Sequence, residues 1–373
     1  MDGAAKGEGR AGAQAPVVTV VLPTFNERDN LAEAIARIDG ALAGVAWEVI
    51  VVDDDSPDGT AHLALEIGAR DPRVRCIHRV GRRGLAGACI EGMLSASAPI
   101  VAVMDADLQH DERLLPRMLA EIDAGRADVA VGSRLLAESS VGDFALHRRA
   151  VSWLANGLAR ALLGARLTDP MSGFFMLRRD RVEALASRLS PQGFKILLDI
   201  LASSRPRLKV VELPFVFRER VAGESKLDSA VMLEFLALIV AQLLGGFVGV
   251  RFVLFAFVGL SGVVVHLATL QSLIAAGLGF DLSQAVATLV AMTTNFFLNN
   301  QVTYRDRRLT GLAALKGLFS FYLVCALGAV ANVGVASVVY GYDHVSWVAG
   351  IAGIIVGSIW NYVASAAVTW RVR

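Results

Sequence analysis

The stretch Ile100-Val101-Ala102-Val103-Met104-Asp105-Ala106-Asp107-Leu108-Gln109-His110 passes from five apolar residues straight into an acidic turn. Five apolar residues are too few for a buried helix and fit a strand covered on both faces. The same pattern recurs on either side. Val17–Leu22 (VVTVVL), Trp47–Asp53 (WEVIVVD), Val74–His78 and Asp128–Gly132 read as strands, and residues 30–42, 60–69, 86–96 and 112–124 read as the helices between them. Continuously apolar strands alternating with helices imply an α/β fold with a mainly parallel sheet covered on both faces. In such sheets ligands lie beyond the carboxyl ends of the strands. The polar residues at those ends are therefore the candidate chemistry.

Asp105 and Asp107, with the Gln109 amide beside them, offer hard oxygen ligands. Mg2+ and Mn2+ take such ligands while keeping positions open for substrate phosphates. A D-x-D pair by itself reads equally as a solvated acidic turn, and it is the company at the other strand ends that favours the ligand reading. Pro23-Thr24-Phe25-Asn26-Glu27 follows the first strand, and Asp53-Asp54-Asp55-Ser56-Pro57-Asp58-Gly59-Thr60 follows the second. The first turn lacks the G-x-G-x-x-G of a dinucleotide loop, no P-loop is present, and Gly81, Gly84 and Gly87 have the wrong spacing for either. A diphosphate would then rest on a metal and on cationic side chains, with the acids of the second turn suited to a base or ribose. Arg134, Arg148, Lys195, Arg220 and Lys226 are the cations available late in this half. Singly each reads as a surface charge; together they form a set able to clamp phosphates.

Composition divides the chain. Charged residues make up 19% of 373 residues, and the mean hydropathy of +0.52 is high for a water-soluble enzyme. Charge is concentrated before about Asp228, whereas four long apolar stretches follow Arg251: residues 252–276, 282–304, 315–340 and 347–370. Each is long enough to cross about 30 Å of hydrocarbon. Arg305, Arg307, Arg308 and Lys316 make one connecting loop basic, and Arg371 and Arg373 do the same for the tail, while the loops at 277–281 and 341–346 lack Lys and Arg. The positive-inside rule then expects the catalytic half and both termini in the cytoplasm. Residues 229–250 read either as a fifth span or as one or two amphipathic helices in the interface; the second keeps the basic loop on the cytoplasmic side and is favoured. Residues 1–15 read as a disordered polar tail. A net charge of +1 without a basic stripe gives no footprint for nucleic acid. Three scattered cysteines form neither a disulfide framework nor a zinc site.

The strings VVLPTFNERDNL, VVDDDSPDGT, GLAGACIEGM, VMDADLQH, DVAVGSR, DPMSGFFMLRR and ELPFVFRERVAGESKL, in this order across Val17 to Leu227, resemble the family 2 glycosyltransferases of GT-A (Rossmann-like) fold. Within them they look like the dolichol- and polyprenyl-phosphate mannose synthases. The spans, with Asn295-Phe296-Phe297-Leu298-Asn299, resemble the GtrA-type four-helix module fused to some members. The resemblance implies a GT-A domain over residues 16–228 and a GtrA-like domain over 251–373. It implies that Pro23, Phe25, Asn26, Glu27, Val52 and Asp54 contact the nucleotide of GDP-mannose, and that Asp105, Ala106, Asp107 and Gln109 form the metal and diphosphate site. It also implies that Arg134, Arg148, Ser152 and Lys195 meet the acceptor phosphate, and that Arg220 and Lys226 lie in a loop closing over donor phosphates. Asp105, Asp107, Arg134 and Lys195 are the residues expected to carry the reaction. The activity implied is inverting, metal-dependent transfer of mannose to a dolichyl or polyprenyl phosphate.

Three other readings compete. Glucose from UDP-glucose going to the same lipid differs only in donor. A processive polysaccharide synthase would carry a Q-x-x-R-W-type motif, which is absent. A transporter or flippase with a regulatory first half has no need of the acids at the strand ends. His266, Asn295, Asn299, Asn332 and Asn361 in the spans read as a headgroup path or, with more weight, as interhelical hydrogen-bonding groups.

Overall fold

The computed structural model describes residues 15–136, 157, 167–191, 195–216, 218, 229–244 and 248–371. The chain forms two compact units, residues 1–231 and 232–373.

In the first unit seven strands make one sheet: β1 (Val18–Thr24), β2 (Trp47–Asp53), β3 (Val74–His78), β4 (Ile100–Val103), β5 (Val129–Ser133), β6 (Phe175–Arg178) and β7 (Val210–Pro214), in the order β3-β2-β1-β4-β6-β5-β7. Strands β3, β2, β1 and β4 are parallel neighbours, and β5 runs parallel to β7. Strand β6 is antiparallel to both β4 and β5. Every residue of β1, β2, β4 and β5 is buried, which is what continuous apolar runs require of a sheet covered on both faces. Among the described residues the helices are α1 (Arg28–Ala41), α2 (Thr60–Arg70), α3 (Leu85–Leu94), α4 (Leu115–Asp123), α5 (Arg179–Leu185) and α6 (Ile196–Ser203). Helix α3 approaches the sheet closely at Gly92, where a Cβ would come within 2.9 Å of Val52 Cγ2. The four parallel strands and the helices between them fall where the sequence places them, within about two residues. The antiparallel β6 and the edge strand β7 are additions to that expectation.

The second unit is helical: α7 (Ser229–Leu243), α8 (Val250–Ala275), α9 (Phe280–Gln301), α10 (Gly311–Asp343) and α11 (Ser346–Ala364), the last prolonged by a π-turn at Ser365–Thr369. Residues expected to form one or two interfacial helices give a single one, α7; apart from Ser229, Glu234 and Gln242 its sequence is apolar on all sides. Three helical stretches, Val250–Ala275, Gly311–Tyr342 and Ser346–Thr369, are long and apolar enough to cross a membrane. Helix α9 matches the remaining expected span in length, but Asp281, Gln284, Asn295, Asn299 and Asn300 make it more polar. Two of its asparagines are covered, Asn299 at 2% and Asn300 at 4% exposure, while Leu260, Phe319, Val330 and Trp347 elsewhere in the unit lie open. A helical unit with asparagines buried inside and large apolar side chains outside suits a lipid solvent.

Candidate active site

The register of the sheet builds the site. Pro23 and Thr24 at the end of β1 pair with Val52 and Asp53 at the end of β2, and β1 lies between β2 and β4. The three acidic or polar turns after these strands therefore open at one edge. Each bends through one left-handed non-glycine residue: Asn26 (φ 60°), Asp55 (φ 58°) and Leu108 (φ 64°). Such residues cost of order 1 kcal/mol or more each and persist where the surroundings hold them. Leu108 is held by burial of its side chain, 8% exposed.

Internal hydrogen bonds shape the first two turns. Asp53, fully buried, accepts from the Ser56 N–H at 2.9 Å, the Ser56 hydroxyl at 2.6 Å and the Thr24 hydroxyl at 3.1 Å. It ties the first turn to the second and has no face left for a ligand. Asn26 N–H donates to Ser56 Oγ, and Glu27 N–H to Thr60 Oγ1. The Glu27 carboxylate accepts from Asn30 Nδ2 at 2.9 Å. The Phe25 ring lies 4.5 Å from the Arg83 guanidinium, so an arginine after β3 reaches the turn after β1.

Asp54, expected to meet a base or ribose, is held by neighbours after β3. Its carboxylate binds the buried Arg79 guanidinium and accepts the Gly84 N–H at 2.6 Å. Burial, with the Asp53 carboxylate adding to it, pushes its pKa up, against the opposing pull of Gly84 and Arg79. Sequence reasoning missed Arg79, because a lone arginine before the charged run at 82–83 carries no pattern.

In the turn after β4, Ala106 is 1% and Asp107 is 7% exposed. Asp107 Oδ1 accepts the Gln109 N–H at 3.2 Å. Gln109 pairs with Arg218 twice: its Nε2 donates to the Arg218 carbonyl at 3.2 Å and its own carbonyl accepts the Arg218 N–H at 2.9 Å. Arg218 in turn binds Glu112 and Asp111, fixing the chain that leaves β7 beside the acidic turn. His110 accepts the Asp105 N–H on Nδ1 at 3.3 Å and stacks on Phe174 at 5.2 Å. Burial, with Arg134 adding to it, pushes His110 down to about 4, so the ring is neutral. Gly173 backs the Asp105 carboxylate: a Cβ there would stand 2.9 Å from Asp105 Oδ2.

The cations divide. Arg134, at the end of β5, binds the fully buried Asp169 at 2.9 Å. Glu212 of β7 accepts the N–H groups of Thr168 and Asp169, each at 2.9 Å or less, which fixes the Asp169 backbone. Lys195 lies within electrostatic reach of Arg134, Asp169 and Asp105; burial and the Arg134 charge hold its pKa below the usual lysine range. Lys195 thus shares an electrostatic neighbourhood with Arg134, Asp169 and Asp105. Asp169 and Glu212, which organise this side, were not singled out from sequence, although Asp169 opens the string DPMSGFF. Arg148, Ser152, Arg220 and Lys226 lie outside the described residues.

The donor set fits a divalent ion. Asp105, Asp107 and Gln109 supply hard oxygens, and among the described residues no group of three His, Cys, Asp or Glu forms a metal site of its own. Two carboxylates and an amide suit an ion that completes its shell with water and substrate phosphates.

Comparison with known proteins identifies the family. Residues 19–185 match the glycosyl transferase family 2 domain, and residues 254–370 match the GtrA/DPMS transmembrane domain. A dolichol-phosphate mannosyltransferase of Pyrococcus furiosus is 37% identical over 95% of this chain and 99% of its own length. The dolichol-phosphate mannosyltransferase of Mycosarcoma maydis is 35% identical over 63% of this chain and 84% of its own. The polyprenol monophosphomannose synthase of Mycolicibacterium smegmatis is 36% identical over 57% and 81%. A mainly parallel GT-A-like sheet with acids at its strand ends, followed by a helical unit that matches the GtrA/DPMS transmembrane domain, places the chain among the family 2 glycosyltransferases that carry a GtrA/DPMS transmembrane domain.

Proposed function

We propose that the protein transfers mannose from GDP-mannose to a dolichyl or other polyprenyl phosphate, with inversion at the sugar and with Mg2+ or Mn2+. The observation that carries this reading is the identity with the Pyrococcus furiosus mannosyltransferase along almost the whole of both chains. The site chemistry supports it. Asp105, Asp107 and Gln109 would hold the ion, whose charge offsets that developing on the departing nucleoside diphosphate.

The chain's own residues do the rest. The turns at 23–27 and 53–60 receive the nucleoside. The Arg83–Phe25 stack lies beside the first of them. Arg134, paired with Asp169, and Lys195, within electrostatic reach of Asp105, meet the acceptor phosphate. Its second pKa is about 6, so it is largely dianionic near neutrality and needs positioning more than a general base. His110, held neutral, orients the Asp105 turn through its hydrogen bond. Direct attack on the anomeric carbon makes an α-linked donor give a β-linked lipid. The acceptor stays in the bilayer, so the site works at headgroup level, with the basic loop at 302–316 on the same cytoplasmic side.

The test is the anomeric configuration of the lipid product together with donor competition. A β-mannosyl lipid whose formation is suppressed by unlabelled GDP-mannose and unaffected by UDP-glucose supports the reading. An α-linked product refutes the single displacement, and suppression by UDP-glucose moves the enzyme to glucosyl transfer.

A further inference from the structure

The transmembrane unit is written twice. A constant 66 residues separates Phe255 from Phe321, Gly262 from Gly328, Asn295 from Asn361, Phe296 from Tyr362, Thr303 from Thr369 and Tyr304 from Trp370. The first member of each pair lies in or just after the α8–α9 hairpin, the second in or just after the α10–α11 hairpin. Equivalent residues do equivalent things. A Cβ on Gly262 would stand 2.7 Å from Asn295 Cγ, and one on Gly328 would stand 2.9 Å from Asn361 Cγ. Both asparagine carbonyl oxygens are buried without a partner among the described residues.

The two hairpins also share a contact that a two-fold exchange reproduces. Phe255 lies 5.6 Å from Tyr362, and the exchanged pair, Phe321 and Phe296, lies 5.9 Å apart. Tyr304 and Trp370, equivalent to each other, stack at 4.1 Å with their planes 5° apart, as residues on the axis itself must. Each repeat contains an even number of helices, so the repeats share one orientation and the axis runs along the membrane normal.

The end of that axis is basic and aromatic. Residues 302–316 carry Arg305, Arg307, Arg308 and Lys316 against one acid, Asp306, and Arg371 follows the stacked Trp370. Arg251 and Arg307 both address Asp306, at 2.7 and 3.5 Å. The Arg251 guanidinium stands 5.5 Å from the Tyr304 ring, and Arg307 donates to the Trp370 carbonyl. Membrane orientation accounts for the cations, but not for the Tyr304 hydroxyl, which is buried and has no hydrogen-bond partner among the described residues. A buried donor beside shared guanidinium groups fits an anionic oxygen. We propose that this end of the repeat, built on the Tyr304–Trp370 stack, binds the phosphate of a membrane lipid. The proposal concerns the helical unit alone and does not depend on the donor sugar.

The test uses the full chain in detergent, with lipid retention read by native mass spectrometry. The probes are phosphatidylglycerol, a polyprenyl phosphate, and phosphatidylcholine as the zwitterionic control. Tyr304→Phe keeps the ring stack and removes only the hydroxyl, and Arg307→Gln removes one charge. Loss of one charge-assisted hydrogen bond corresponds to about tenfold in affinity. The wild type should retain an anionic lipid over phosphatidylcholine, and each variant should lose about tenfold of that retention with its thermal midpoint unchanged. Loss confined to the polyprenyl phosphate identifies a second site for the substrate lipid. Loss for both probes identifies a site for phosphate lipids in general. If both variants retain both anionic lipids as the wild type does, the proposal is overturned and the basic end serves orientation alone.

Discussion

Gly173→Ala should damage the reaction while sparing the fold. The glycine has an ordinary backbone, so alanine is sterically allowed there, and a less flexible unfolded chain contributes a few tenths of a kcal/mol in its favour. The added Cβ would stand 2.9 Å from Asp105 Oδ2, against 3.4 Å for an ordinary contact. The carboxylate must therefore retreat by about 0.5 Å. Because the group that moves is the end of a side chain, the cost in stability stays within about 1 kcal/mol, and the thermal midpoint moves by a few degrees at most. A misplacement of about 1 Å at a reacting centre costs about 100-fold, so about 0.5 Å corresponds to roughly tenfold in kcat. The assay is sugar transfer to polyprenyl phosphate by the purified variant over a titration of Mg2+ and Mn2+, with the thermal midpoint measured alongside. The variant should turn over roughly tenfold more slowly and need more metal for half-maximal rate. Wild-type turnover with wild-type metal demand in a folded variant would refute the placement of Asp105 at the metal.

Asp107→Ala should abolish transfer and leave a folded, membrane-bound protein; normal turnover would remove Asp107 from the metal site. Asp169→Asn takes the charge from a fully buried partner of Arg134. Because Arg134 is partly exposed, the loss should be about 1–3 kcal/mol, with the KM for the lipid acceptor rising more than kcat falls, as steady-state kinetics would show. Glu48 tests the account away from the site. Burial alone would raise its pKa, but the Thr19 hydroxyl and the Ser97 N–H, each at 2.6 Å, with Arg75 nearby, outweigh it and hold the carboxyl below its usual range. A depressed folded pKa means that this stabilisation is complete above the unfolded value near 4.5 and is lost as the pH falls through the folded one. Glu48→Gln should therefore cost about 1–2 kcal/mol at pH 7, and thermal melts of the two proteins should converge as the pH drops below 4.5. A gap that persists at low pH would contradict the assignment.

The parallel half of the sheet was legible because burial on both faces writes itself as unbroken apolar runs such as Trp47–Asp53. Strand β6, Phe175–Arg178, is four residues long and directly precedes a helix, so no period can build up, and its antiparallel direction is set by tertiary pairing. The acids at the strand ends could be found because sheet topology dictates where ligands lie. Arg79, Asp169, Glu212 and Arg218 were hidden for the opposite reason: each acts through a partner far along the chain, such as Asp54 for Arg79 and Asp111 for Arg218, and single charges carry no spacing. Aromatic and glycine positions repeating at 66 residues were masked by a background in which nearly every residue is apolar. Packing contacts between Phe255 and Tyr362 and between Phe296 and Phe321 bring them out. Helix α9 shows the same limit from another side, since its asparagines lower the apolar signal while their burial inside the helical unit keeps the helix at home there.

The most direct measurement is transfer of labelled sugar by the purified full chain into a polyprenyl phosphate, from GDP-mannose and from UDP-glucose, each with and without EDTA. Label entering lipid from GDP-mannose alone, and only while a divalent cation is available, is the predicted result. Label from UDP-glucose alone would contradict the donor assignment, and transfer undiminished by EDTA would contradict the role given to Asp105, Asp107 and Gln109.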